Sequence, residues 1–131
     1  MHITLESDYA VRIVGCLSAE NKRLDARAIS DKTTVTLRFA LKILRKLVAA
    51  GIVNSFKGNQ GGYELAAKPS EISLNDVVTA IEGKYAISKC LTEDYDCNRG
   101  MSGRCRYQAA FAEISDAVEE KLKSYTFDKL I

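Results

Sequence analysis

Thr36-Leu-Arg-Phe-Ala-Leu-Lys-Ile-Leu-Arg-Lys-Leu-Val-Ala-Ala50, stopped by Gly51, is the stretch on which the fold turns. Leu37, Ala40, Leu41, Leu44, Leu47 and Val48 recur at helical intervals and predict an amphipathic helix capped by Thr36. Glycine just past the end is a common helix terminator. The opposite face carries Arg38, Lys42, Arg45 and Lys46. Immediately upstream, Asp25 can cap a shorter helix over 25–32, with Ala28 and Ile29 facing inward. The polar link Thr33-Thr34 and the apolar plug Val35 join the two helices. A helix pair joined by a short turn, the second helix basic on its exposed side, predicts a helix-turn-helix whose second helix enters a DNA major groove.

Downstream, Ile52–Lys57 and Tyr63–Ala67 alternate apolar and polar residues around Gly58-Asn59-Gln60-Gly61-Gly62, which predicts a β-hairpin. Directly after a recognition helix, such a hairpin reads as a wing. Lys57, Asn59 and Gln60 offer donors to a phosphate backbone or minor groove, and the glycines let the tip approach closely. The glycines can equally serve the turn alone. No Gly-Lys-Ser/Thr follows, so a nucleotide-binding phosphate loop is a poor match.

The charge distribution agrees with a DNA-binding first half. The net charge is only +2, but residues 1–70 carry 11 Lys/Arg against 6 Asp/Glu, a net of +5, whereas residues 71–131 carry 8 against 11, a net of −3. Between Asp31 and Glu64 there is no acidic residue, while Lys32, Arg38, Lys42, Arg45, Lys46 and Lys57 all fall there. Such a run is an electrostatic footprint for phosphate, although a solvated lysine-bearing surface produces the same pattern. Thr34, Thr36 and Arg38 are candidates for base or adjacent phosphate contact, and Lys42, Arg45 and Lys57 for phosphate neutralisation. A bidentate Arg38–guanine pair would be worth about 1–3 kcal/mol of discrimination.

Around this centre, Ala10, Ile13, Val14 and Leu17 predict a helix over 8–19, with Cys16 as a small core residue. Pro69-Ser70 break the chain, and Ser73 caps a helix carrying Leu74, Val77, Val78 and Ile81, ended by Gly83. Residues 84–104 form an unusually long polar loop. Over about 105–125, Phe111, Ile114, Val118, Leu122 and Tyr125 make an apolar stripe that needs a partner surface, either a second copy of the helix or residues 8–19. The expected organisation is a winged helix-turn-helix over 1–83, a cysteine-bearing loop over 84–104, and a dimerisation helix with tail over 105–131. The fold class is mainly α with a small β-hairpin.

The acidic pair Glu6 and Asp8 ahead of a short apolar stretch does not resemble a signal peptide, and no apolar run is long enough to span a bilayer. The expectation is a cytoplasmic protein without membrane contact. Thiols there stay reduced, so Cys90, Cys97 and Cys105 point to metal or redox chemistry rather than disulfides. With six and then seven residues between them, they sit in a loop able to fold three thiolates onto one centre. Soft thiolates suit an iron-sulfur cluster or zinc, and the Cys-x2-Cys pairs of a zinc knuckle are missing. A zinc-stabilised protein-interaction module or a cluster-free thiol sensor remains the alternative. The single histidine is His2 and no nucleophile–base constellation is present, so an enzyme is not expected.

Together, Leu5-Glu-Ser-Asp-Tyr-Ala10, Ala50-Gly-Ile-Val53, the Ser55-Phe-Lys-Gly58 to Gly61-Gly-Tyr63 wing, Ile72-Ser-Leu74 to Glu82-Gly83, and the three loop cysteines resemble the winged-helix iron-sulfur transcription regulators typified by IscR and NsrR. The likeness spans nearly the whole chain. It implies a homodimer on a pseudo-palindromic double-stranded DNA operator, acting as a repressor. It also implies an iron-sulfur cluster of the 2Fe-2S or 4Fe-4S type, prone to loss on aerobic purification, that senses nitric oxide, redox or iron-sulfur status. Some members use a histidine three residues beyond the third cysteine; here that position is Gln108. Others use an N-terminal carboxylate from the partner subunit, which this sequence resembles at Asp8. The implied ligands are therefore Cys90, Cys97, Cys105 and Asp8, although Asp8 also suits a helix N-terminus on electrostatic grounds alone. The cysteine spacing is longer and less even than the family's.

Overall fold

A computed structural model describes residues 1–131. Five helices, α1 (Leu5–Glu20), α2 (Ala26–Thr33), α3 (Leu37–Ala49), α4 (Leu74–Glu82) and α5 (Arg106–Lys123), surround one core, with an antiparallel hairpin of β1 (Val53–Phe56) and β2 (Gly62–Leu65). Short 3-10 turns lie at Pro69–Glu71, Lys89–Leu91 and Phe127–Lys129.

Local chemistry explains most boundaries. Asp25 accepts from the Ala28 N–H at 2.8 Å, Thr36 from Phe39 at 3.4 Å, and Ser73 from Asp76 at 3.2 Å, whose carboxylate answers the Ser73 N–H to complete a capping box. The first helix begins earlier than its apolar periodicity suggests, because Thr4 caps it through the Ser7 N–H at 3.1 Å. Asp8 is thereby a first-turn residue rather than a cap. The α2–α3 turn uses Thr34 in the left-handed region (φ 59°), and Val35 is buried beneath it while its carbonyl accepts from Ser30 Oγ at 2.6 Å.

One face prediction needs correcting. On α3 the fully buried side chains are Ala40, Ile43, Leu44 and Leu47, while Leu41 stands 40% exposed. Two apolar stripes that share Ala40, Leu44 and Leu47 overlap on this helix, and the core takes the one containing Ile43. The core cluster joins Ala10, Ile13, Val14 and Leu17 of α1 to that face and to Ile29, Val53 and Val77. Cys16 packs at its edge, and burial raises its thiol pKa, as expected of a packing residue.

The wing is tied to the helices by backbone. Leu24, between α1 and α2, exchanges two hydrogen bonds with Tyr63 (2.9 and 2.7 Å), so a single residue serves as a third strand. Gly62 makes this possible: at φ 139° it lies so close that an added Cβ would sit 2.6 Å from the Leu24 carbonyl oxygen.

The segment after α5 also returns to the core. Leu74 N–H donates to Tyr125 O (2.9 Å), Phe127 N–H donates to Ile72 O (3.0 Å), and the Phe127 ring is 1% exposed. The C-terminal residues thus complete the winged domain's own core. Phe127→Ala should cost about 3–5 kcal/mol of stability, measured by chemical denaturation, because it empties a fully buried aromatic site.

Candidate nucleic-acid interface and cysteine loop

The exposed side of α3 carries Arg38, Lys42 and Arg45, and Arg38 and Arg45 engage in no salt bridge. Thr34 and Thr36 are exposed at the start of the helix, as are Lys57, Asn59 and Gln60 at the wing tip. Not every cation in the acid-free stretch is free. Lys32 pairs with Glu20 at 2.7 Å, and Lys46 with Glu6 at 2.8 Å. Lys42 lies 3.6 Å from the same Glu6 oxygen and is shared between α1 and solvent.

Glu6 makes a contact with α3 that sequence reasoning missed. Its Oε1 atom is inaccessible to water and is held between the two ammonium groups. The Lys46 ammonium 2.8 Å away holds the carboxyl pKa below the ordinary value against the opposing effect of burial, and Lys42 adds to it. On the same flank Tyr9 meets Phe39 edge to face, with ring centroids 5.9 Å apart. No local signal in α1 announces this contact, since it depends on how α1 crosses α3.

Arg23 was missed for the same reason. Its guanidinium lies 3.4 Å from the Phe56 ring centroid, donates to the Gln60 carbonyl at 2.9 Å, and reaches Glu64 at 3.5 Å. One side chain therefore braces the wing on both strands and at its tip.

Cys90, Cys97 and Cys105 are all reduced and half-buried, but no three His, Cys, Asp or Glu side chains gather as a metal site. The expected metal set is thus dispersed in this chain. Cys90 lies 3.2 Å from Ser88 Oγ, and Cys105 precedes the first turn of α5. Backbone N–H groups of Met101 and Arg99 face Cys97 and lower its thiol pKa, aided by the Arg99 charge. Asp8 pairs with Arg12 at 2.8 Å along α1, and Arg12 also overlies Tyr9. Gln108 organises the loop: its Nε2 donates to the Cys90 carbonyl at 2.7 Å, and its Oε1 accepts from the Gly103 N–H at 2.9 Å. The two ends of the cysteine loop are thereby drawn together. The donor chemistry, with three soft sulfurs on a loop closed at its base, fits a thiolate-bound iron-sulfur centre, and gathering the sulfurs requires the loop between Cys90 and Gly103 to fold inward.

A recognition-type helix, a wing and an all-helical frame define a winged helix-turn-helix transcription regulator. The chain belongs to the Rrf2 family, described as an iron-dependent transcriptional regulator, which it matches over residues 3–131. Among its relatives, protein aau3 of Rhizobium meliloti is 33% identical over 133 residues, covering 100% of this chain and 85% of that protein. The transcriptional regulator NsrR of Shouchella clausii is 24% identical, covering 100% of this chain and 89% of that protein. The solved structure of CymR, the global cysteine regulator of B. subtilis, shares the fold with a TM-score of 0.76 at 24% identity, covering 99% of this chain and 95% of that one. The chain is therefore a DNA-binding regulator and not an enzyme. No helix is long and apolar enough to cross a membrane.

The Glu6 anchor sets a pH dependence. Because the folded-state pKa is depressed, its contribution is present above the unfolded-state carboxylate value and is lost as pH falls through the folded value. Denaturation midpoints measured from neutral to acidic pH should fall more steeply for the wild type than for Glu6→Gln, and parallel curves would show that the anchor contributes nothing.

Proposed function

We propose that this regulator works as a homodimeric repressor whose operator affinity is set by the state of its cysteine loop. The observation that carries the reading is the pair of free guanidinium groups, Arg38 and Arg45, with Lys42 between them, on the solvent side of a helix whose other side is fully buried. A cationic face whose two guanidinium groups find no partner in their own chain suits a polyanion, and α3 has the place in the fold that enters a major groove. Arg38, Thr34 and Thr36 would contact bases or adjacent phosphates. Lys42, Arg45 and the wing residues Lys57, Asn59 and Gln60 would hold the backbone.

Dimerisation is supported by α5. Tyr107, Phe111 and Ile114 are exposed on it, and Tyr125 is exposed just past its end. Ser115, buried on the flank beside this stripe, accepts from the Ile87 N–H at 2.9 Å and ties α5 to its own chain. An apolar stripe of this kind is the surface that a second copy of α5 would cover, and two copies related by a twofold would present paired recognition helices to grooves about 34 Å apart.

Cys90, Cys97 and Cys105 would hold an iron-sulfur cluster, with Asp8 of the partner subunit as the fourth ligand. Such a group supplies iron open to oxidation and to small ligands such as nitric oxide. The chain's own part is conformational. To ligate, Asp8 must leave Arg12, and the cysteine loop of one subunit must fold against the start of α1 of the other, where Glu6 and Tyr9 touch α3 through Lys42, Lys46 and Phe39. Loop closure would thus bias the pose of α3, which is a coupling between two sites through a continuous set of contacts. A thiol-redox sensor without a cluster is the second reading, favoured by the backbone N–H groups that face Cys97.

Anaerobic purification followed by visible spectroscopy and duplex titration on one sample tests this. The expected result is a coloured dimer whose duplex affinity falls with salt at a slope of roughly 0.9 per phosphate neutralised. Cys97→Ala should lose its iron, and Asp8→Ala should retain the thiolates but change the lifetime of the chromophore. Unchanged iron in Cys97→Ala would overturn the ligand assignment. A colourless protein whose DNA affinity responds to reversible thiol oxidation would favour the second reading.

A further inference from the structure

Among the large apolar side chains exposed on α3, Phe39 has an explanation, since it packs edge-on against Tyr9. Leu41 does not. It is 40% exposed while Ala40, Ile43 and Leu44 beside it are fully buried, and it lies on the flank away from Glu6 and Tyr9. Leu37 sits one turn before it, Arg45 one turn after, and Arg38 three residues before. With Phe39 and Lys42 these residues line one shallow depression on the surface of the helix.

We propose that Leu41, backed by Leu37, is a base-reading residue that packs on the C5-methyl groups of thymine in the major groove. The inference rests on the reading of α3 as the recognition helix and adds to it a base preference. An apolar floor rimmed by Arg38, Lys42 and Arg45 selects its occupant by charge: an apolar protein surface would strip water from three cations without neutralising them, whereas duplex DNA supplies phosphates for the cations and an apolar group between them. In the major groove the only apolar group on a base edge is the thymine methyl. Burying it against Leu41 removes apolar surface from water on both partners, and a methyl-sized burial is worth about 0.8 kcal/mol. Arg38 would read a purine acceptor pair within a few base steps, so polar and methyl readout would be neighbours on one helix face.

Duplexes enriched by the full-length protein from a random-sequence pool provide the probe. In an enriched duplex each thymine is replaced singly by deoxyuridine, which removes the methyl and leaves base pairing and the phosphates unchanged. At one or two positions in each half-site the wild type should lose roughly threefold to tenfold in affinity. Leu41→Ala should bind the thymine duplex about as weakly as the wild type binds the uracil one. It should show no further loss on deoxyuridine, and its salt slope should stay that of the wild type because no phosphate contact is removed. Equal wild-type affinity for thymine and uracil at every position would overturn the inference, as would a Leu41→Ala variant that keeps the full difference or one whose defect is in dimer formation. Those outcomes leave the recognition-helix reading intact. A protein that enriches no duplex would instead remove the DNA-binding reading on which the inference stands.

Discussion

Everything in this molecule depends on α3 being buried along one side and bare along the other. Ala40, Ile43, Leu44 and Leu47 have no contact with water and lock the helix against α1, α2 and the first strand of the wing. Fixing those four side chains fixes the azimuth of the helix, and with it the direction in which Arg38, Lys42 and Arg45 project. A helix this short is marginal in isolation. Its orientation is therefore a property of the core, and a regulator can alter what α3 presents only by altering what α3 leans on.

Two of those supports come from α1. Glu6 takes up Lys46 and shares Lys42, and Tyr9 meets Phe39, so the first two turns of α1 control one flank of α3. The same turns contain Asp8, and Ser7 at their centre donates to Glu82 at the end of α4, just ahead of the cysteine loop. The N-terminal turns of α1 therefore adjoin both the recognition helix and the entrance to the loop. In the proposed function this placement is the route by which the cysteine loop would reach the DNA-facing surface: a shift in the start of α1 would change the competition between Glu6 and phosphate for Lys42.

Features governed by neighbours in the chain are legible from the sequence. The caps Asp25, Thr36 and Ser73, the stops at Gly51 and Gly83, the hairpin and the cation set on α3 all follow from short-range rules of capping, turn chemistry and periodicity. What the sequence hides is non-local. Periodicity cannot choose between overlapping stripes on α3, so it points Leu41 inward although Ile43 takes that place. Nothing near Arg23 marks it as the brace of a wing more than thirty residues away, and nothing near Phe127 marks it as core. For the cysteine loop, spacing identifies the candidate sulfurs, while their convergence depends on loop geometry that spacing does not encode. The clamp that Gln108 places across the loop is likewise invisible, although that position is already notable for lacking a histidine.

The attachment of α5 at two points limits how this chain can vary. Ser115 fastens the helix to Ile87, and Phe127 fastens the C-terminal segment to Ile72. Between these anchors lie the last turns of α5 and only three residues outside the helix. One residue inserted there would turn one end of the helix by about 100° relative to the other, swinging either the Phe111–Ile114 side or the Phe127 plug out of place. Side-chain replacement along this stretch is consequently far easier to accommodate than a change in length, and diverged copies of the gene should differ here by substitution while insertions and deletions collect in the loop ahead of it.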